Sequence, residues 1–319
     1  MKMTLSRLRT LGIGLLGGVS YAALAYGILS AFHDVMSVSF IFGVPLVMGA
    51  IPSLFSSKEQ LTSYLIAFVI PWASILLFLL LAYASGFEGT ICIALILAPF
   101  MILGSLGGYI FRMIRLRKKG RSTPLYTFLF LPYALYVGEA NILPSSDYQW
   151  VSTQMEIAAD QKTVWENTKN VRAIRDDEIS LHFVHAIGVP KPMDGRLDHD
   201  GVGGIRNITW KKGIQFQEKI KSWKQGQAFS YDIHVDPASI PPKTLDEHVM
   251  VGGRYFDVIE GGYSIDPLPE NRSMLTLRVK YRVTTTFNAY GRWWVDFLLD
   301  DFNRMILEVI KKRSEAAFP

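Results

Sequence analysis

The chain has 319 residues, half of them hydrophobic, a net charge of +5 and a mean hydropathy of +0.21. Up to Leu143 there are ten Lys or Arg against four acids, and from Pro144 onward 23 against 24. The basic excess therefore belongs to the apolar half, which excludes a nucleic-acid partner for the polar half, and the single cysteine, Cys92 in an apolar run, excludes a disulfide framework or a thiolate metal site.

In chain order, four apolar runs come first, at residues 11–32, 35–54, 61–84 and 90–111, each near the roughly 20 residues a helix needs to cross a bilayer. Ala23-Leu24-Ala25 has the form of a signal-peptidase site, but three more runs follow it, so an uncleaved first helix is expected. A fifth run, 125–142, contains Pro132 and either spans, with Asn141 to Leu143 in the interface, or lies flat; spanning is the expectation. Lys2, Arg7, Arg9, Lys58, Arg112, Arg115, Arg117, Lys118, Lys119 and Arg121 fall on one side if the runs alternate, while the loops at Asp34 and Glu88 carry no Lys or Arg. This positive-inside pattern predicts a cytoplasmic N-terminus in the inner membrane and, with five spans, a C-terminal domain outside the cytoplasm. The four long runs hold no charged residue that would mark an ion path. The small-xxx-small pairs Gly14/Gly18 and Gly104/Gly108 predict close packing within the bundle, the alternative being a homo-oligomer seam. Pro45, Pro52, Pro71 and Pro99 predict kinks.

Residues 144–319 read as a separate domain. Tyr148 to Ala158 alternates as a strand, Asp160 caps a short helix through Asn167, and 171–187 has room for a second. Gly188 to Asp200, with Pro190, Pro192 and Gly195, reads as a loop. Gly201 to Ser222 reads as a hairpin in which Ile208 and Trp210 share a face on one arm and Ile214, Phe216 and Ile220 on the other. A three-residue loop, Lys211-Lys212-Gly213, suits a type I turn followed by a left-handed residue. It pairs Trp210 with Ile214, Ile208 with Phe216 and Arg206 with Glu218, so two opposite charges join the dry face. A two-residue turn would put Trp210 and Ile208 in water. Phe229 to Val235, Tyr255 to Ile265 and Met274 to Thr286 are further strands, with Pro237, Pro241 and Pro242 marking a long connection. A helix from Tyr290 to Arg313 follows, with Trp294, Leu298, Phe302, Met305 and Val309 along one face.

Ala159 to Trp165, Gly201-x-Gly203-x-x-Arg206, Phe216-x-Glu218, Tyr255-Phe256 with Gly261-Gly262-Tyr263, and the Trp293 to Arg313 helix occur in an order that resembles the START-like (SRPBCC) superfamily, in particular its polyketide cyclase, dehydrase and lipid-transport group. The resemblance covers about residues 148–315. It implies an α+β helix-grip domain whose curved antiparallel sheet wraps a long terminal helix, here preceded by an α-helical membrane bundle, with a cavity for a lipid, isoprenoid or polyketide-like molecule. The membrane helices set the chain apart from soluble members and point to work at the membrane.

Gly201-x-Gly203-x-x-Arg206 enters a strand rather than opening a helix, so it is no dinucleotide fingerprint. Asp198-His199-Asp200-Gly201 lacks the further ligands of a calcium loop and reads as a turn, and His182 with His185 has no evident third metal ligand. No metal or cofactor is expected. A hydrophobic-ligand module places Trp210, Phe216, Tyr231, Tyr255 and Trp294 around the ligand with Arg206 and Glu218 at a polar end. The alternatives are a cyclase or hydrolase with Glu218 as general base, disfavoured because an adjacent arginine holds a carboxylate ionised, and a structural domain with a filled core. The expected partners are the bilayer and a hydrophobic small molecule.

Overall fold

The computed structural model describes residues 5–32, 36–117, 127–241 and 244–317. Lys2, His33, Asp34, Lys118, Lys119, Arg121 and Pro242, which enter the charge and loop readings, lie outside the described residues. The chain divides into two compact units, Met1–Pro144 with Thr285–Phe287, and Ser145–Thr284 with Asn288–Pro319.

The first unit is helical: α1 (Leu5–Ala31), α2 (Val44–Phe55), α3 (Ile70–Ala84), α4 (Thr90–Arg117) and α5 (Leu131–Glu139). Three stretches are long and apolar enough to cross a membrane, Leu11–Ala31, Ile66–Ala84 and Thr90–Arg117. The second and fifth runs are shorter than expected. Helix covers only Ser39–Phe55 of the second, and a 3-10 turn at Thr127–Phe130 followed by α5 forms the fifth, about 20 Å at ~1.5 Å per residue against a hydrocarbon core of about 30 Å. Pro45 and Pro71 each follow a π-helical turn, Ser39–Gly43 and Leu65–Val69, and sit in the first turn of the next α-helix, where a missing N–H is tolerated.

Glycines let these helices touch along their backbones. A Cβ on Gly49 would lie 1.8 Å from the Gly104 carbonyl oxygen, and one on Gly107 would lie 1.9 Å from that of Leu46. Gly104 and Gly108 also face Ile75 and Ala67, while Gly14 and Gly18 face Pro52 and Ser74. Both expected small-residue pairs thus pack against helices of the same chain. Arg112 and Arg115 at the end of α4 donate to the carbonyls of Leu61, Thr62, Leu54 and Ser56, which terminate or follow α2.

The second unit is a helix-grip domain. Its strands are β1 (Ser145–Ile157), β2 (Pro192–Leu197), β3 (Ile205–Trp210), β4 (Gln215–Lys224), β5 (Ala228–His234), β6 (Phe256–Leu268) and β7 (Arg272–Thr285). They form one curved antiparallel sheet in the order β1-β7-β6-β5-β4-β3-β2. Its helices are α6 (Gln161–Lys169), α7 (Phe183–Ala186) and the long α8 (Asn288–Ala317). Asp160 caps α6, its carboxylate accepting from Thr163 N at 2.8 Å.

The stretch expected to be a loop at 188–200 contains β2, paired with β3. Pro192 is its first residue and it is an edge strand, two conditions under which a sheet tolerates proline. In the β3–β4 hairpin, Arg206 pairs with Glu218, Asn207 with Gln217 and Ile208 with Phe216, and Trp210 N donates to Ile214 O at 2.9 Å. The three-residue loop and the dry-face register are as the alternation predicts. The left-handed backbone begins one residue early, at Lys212 (φ 60°), and continues through Gly213 (φ 79°).

Helix α8 closes the concave side, with Met305, Ile306, Leu307, Val309 and Ile310 in one core with residues of β1, α6 and β4–β7. Its buried face includes Leu299 where the expected stripe had Leu298, which is half-buried and outside that core. Polar contacts lock α8 to β1 along its length: Asn288 Nδ2 donates to Ser145 O (2.6 Å), Thr153 Oγ1 to Asp300 (2.7 Å), Lys311 Nζ to Glu156 O (2.9 Å), and Ala158 N to Glu315 (2.9 Å). Near its C-terminal end, Arg313 forks onto Glu178 at 2.7 and 2.8 Å and donates to Arg172 O and Ala173 O. The Arg313 hydrogen bonds, more than the partial burial that opposes them, hold the Glu178 carboxyl at about 2. Met305→Ala should destabilise the domain by about 2 to 5 kcal/mol in chemical denaturation, and Leu298→Ala by much less.

Candidate functional site

The Gly201-x-Gly203-x-x-Arg206 motif is a turn that delivers Arg206 to the concave face. Gly201 and Gly203 have φ of 115° and 90°, and a Cβ on Gly204 would lie 2.4 Å from His199 O, so each glycine is required sterically. Asp198 Oδ1 closes the turn by accepting from His199 N and Ile205 N, both at 2.7 Å, which is the turn expected in place of a calcium loop.

Beyond the turn, Arg206 Nη1 donates to Glu218 Oε2 at 3.1 Å, and the two residues are only 4% and 7% exposed. The guanidinium lies 5.9 Å from the Phe229 ring centre and 5.6 Å from that of Tyr263. Burial pushes the Glu218 carboxyl above its ordinary range, and Arg206 opposes this without cancelling it. Burial also works against the charged guanidinium, but Glu218, Tyr263 and Tyr231 outweigh it and Arg206 stays cationic. The phenols of Tyr231 and Tyr263 are raised by burial as well, so both carry their protons at neutral pH. Desolvation, rather than the adjacent arginine on which the expectation rested, is the larger influence on Glu218.

Two glycines make room for this cluster. A Cβ at Gly261 would fall 2.6 Å from the Tyr231 ring and hydroxyl, and one at Gly195 would fall 3.3 Å from Arg206 Nη2. A bulge in β4 between Ile220 and Ser222 switches the faces, so that Ser222 meets Ser230 outside and Trp223 turns inward to Phe229. Trp165 of α6 then stacks edge-on to both rings, 4.9 and 5.7 Å away. Arg206 Nε and Trp165 Nε1, both beside Phe229, are buried donors without an acceptor among the described residues.

Of the residues proposed from sequence, Arg206, Glu218 and Tyr231 meet in this cluster. Trp210 and Phe216 pack together (5.5 Å) farther along the hairpin, with Trp210 also against Phe302 of α8 (4.9 Å). Trp294 lies in the first turns of α8 with Phe183 (6.4 Å), and Tyr255 lies outside the strands beside His248 (5.8 Å), so neither belongs to the cluster. Tyr263, Trp165, Trp223 and Phe229 do belong; Tyr263 and Trp165 carried a signal in the motifs quoted above, whereas the bulge that recruits Trp223 had none. A cleft of about 640 Å³ opens by the hairpin mainly on the solvent-facing side of the sheet, at Asn207, Thr209, Gln215, Gln217, His234 and Asp257. Ile233 is the register partner of Glu218.

A second buried group fastens α7 to α8. The His182 ring places Nδ1 3.0 Å from Asp301 and Nε2 3.3 Å from Glu308, and Asp301 also accepts from Val184 N at 2.8 Å. His185 lies apart, bonded through Nδ1 to Val189 O, so the two histidines share no ligand position.

Glu218→Gln tests the electrostatics. A carboxyl raised in the folded state binds its proton more tightly there, so stability is fully present below the unfolded pKa and falls as pH rises through the folded one. The melting temperature of the variant should therefore gain on that of the parent as pH rises above about 4.5. A gain in the opposite direction would mean that Arg206 dominates. Arg206→Ala should cost about 3 to 5 kcal/mol, and the double variant combining Arg206→Met with Glu218→Leu should cost less than that single change.

No protein-family model and no curated protein sequence matches the chain. Among solved structures it is similar to the ZhuI aromatase/cyclase of Streptomyces sp. R1128 (12% identity over 54% of this chain and 96% of that one, TM-score 0.35). It is also similar to norcoclaurine synthase of Thalictrum flavum (12%, 53% and 94%, TM-score 0.33) and to a protein of Thermus thermophilus (15%, 53% and 99%, TM-score 0.33). At these identities and scores the likenesses say nothing of ligand or activity.

Proposed function

We propose that the protein is a membrane-anchored helix-grip domain that holds a hydrophobic molecule with a hydrogen-bond-accepting end, the reading implied by its resemblance to the START-like superfamily. The observation that carries it is the pair of buried donors, Arg206 Nε and Trp165 Nε1, beside the ion pair. An unmet buried donor costs on the order of 1–3 kcal/mol, and a carbonyl or hydroxyl oxygen of a ligand would recover that. The apolar body of the ligand would lie along the concave face at Ile208, Phe216 and Ile233, one rung from the pair. Its chemical class is a lipid, isoprenoid or polyketide-like molecule, and Tyr231 and Tyr263 supply further donors.

One observation favours a second reading. Glu218 is shifted toward the range in which a carboxyl can both give and take a proton, which a cyclase-type enzyme using the same face would need. Turnover of the bound compound by the parent protein, lost in Glu218→Gln, would decide for it.

The three long apolar helices support the anchoring, and the positive-inside charge pattern supports a cytoplasmic N-terminus. If the shorter runs also cross, the domain lies outside the cytoplasm, and reporters after Lys119 and after Pro319 should read opposite sides. Same-side reporters would put the domain in the cytoplasm. Native mass spectrometry of the full chain released from membranes should show a co-purifying apolar compound, reduced at least tenfold by Phe216→Arg. A ligand-free parent chain would overturn the binding function and leave a domain with a filled core.

A further inference from the structure

The first turns of α8 carry an aromatic surface that the ligand site does not use. Trp293 and Phe297 are 59% and 46% exposed, and Phe183 of α7 is 41% exposed. Their rings pack on one another through Trp294: Trp293 to Trp294 is 4.8 Å, Trp294 to Phe297 6.1 Å, and Phe183 to Phe297 5.4 Å. Leu181, in the segment that the His182 ion pairs pin to α8, is 95% exposed. Four large apolar side chains open to water within a few turns of one another exceed the scattered exposure that a soluble surface tolerates.

We propose that this surface inserts into the interfacial layer of the bilayer. The inference rests on the membrane-anchored reading above. The occupant follows from composition and from the place of the patch within the domain. Trp and Phe with few cations suit the interfacial layer, where amphipathic rings are enriched. Charged headgroups are not the attraction, because the nearby carboxylates are engaged: Asp296 accepts from Tyr281 at 2.6 Å, and Asp300 is held by Thr153 and Arg304. The other exposed rings described in the second unit, Tyr148 and Trp150, are different in kind, since Lys280 and Arg278 lie over them at 5.1 to 6.0 Å. The patch also lies at the end of the domain where the chain arrives from the apolar helices. Asn288 at the start of α8 bonds to Ser145 at the start of β1, and Trp293 and Phe297 follow within about 14 Å along the helix at ~1.5 Å per residue. Only Ala140 to Pro144 separate Ser145 from the end of α5, so a short tether keeps the domain at high effective concentration near any bilayer that those helices cross.

Spin labels on the full chain in phosphatidylcholine nanodiscs test this. With Cys92→Ser as background, single cysteines replace Trp293, Phe297, Val202 or Leu80. Relative collision with oxygen and with a nickel chelate then reports lipid or water. Labels at 293 and 297 should favour oxygen, as the label at 80 on the apolar α3 should, while the label at 202 in the glycine turn favours nickel. Nickel-favoured collisions at 293 and 297 with an oxygen-favoured label at 80 would overturn the proposal and leave the anchoring intact. Nickel-favoured collisions at 80 as well would overturn both. Low collision with both reagents at 293 and 297 would mean that protein, such as a second copy of the chain, covers the patch, and would also overturn it. Leu181→Cys provides a further position should either α8 variant fail to fold, and it should read as 293 and 297 do.

Discussion

A guanidinium and a carboxylate with almost no access to water constrain everything around them in the second unit. Desolvating either charge alone costs several kcal/mol, so Arg206 and Glu218 must face each other across neighbouring strands, and the hairpin register cannot slip by one residue without separating them. Gly195 and Gly261 forgo side chains so that the guanidinium and the Tyr231 ring fit, and three glycines before Arg206 turn the chain into β3. The aromatic rings around the pair lower its dielectric surroundings further, which is why burial and not the neighbouring cation decides the direction in which Glu218 moves.

The grip of α8 works differently. Its inward face is apolar where it meets the sheet, but its flanks are fixed by directional bonds, to β1 through Thr153, Glu156 and Ala158, and to the α6–β2 connection through Glu178 and His182. Apolar burial alone would let a helix slide or rotate by a fraction of a turn, since it is non-directional. The bonds at its margins choose one rotation, and that choice puts Leu299 inward and leaves Trp293 and Phe297 outside.

Much of this was legible because two of its signals are periodic. The alternation on both hairpin arms located the loop, the register and the charge pair, and the helical spacing of Phe302, Met305 and Val309 located the core face of α8. Asp160 gave the start of α6 because a capping carboxylate has a local signature. What was hidden was non-periodic or non-local. Strand β2 is masked by Pro192 and Gly195, whose presence reflects an edge position and the space that Arg206 needs. The β4 bulge inverts the alternation midway, so the face shared by Ile214, Phe216 and Ile220 passes to Trp223 without a sequence signal. His182 meets carboxylates more than a hundred residues away, and no spacing announces that. Hydropathy marked the second and fifth apolar runs but could not show that helix fills only part of each, because a run stays apolar where its backbone stops being helical.

The bonding of β1 to α8 joins the first strand of the domain to its last helix, with six strands and some 130 residues between Ile157 and Asn288. The entropy of closing that interval must be met before the apolar face of the sheet is covered, so closure comes late and the partly built sheet stays open meanwhile. While it is open, the donors of Arg206 and Trp165 and the rings around them are accessible from the side that α8 later seals. The hydrophobic guest proposed above would then be enclosed during folding itself, without any gate having to open in the finished domain.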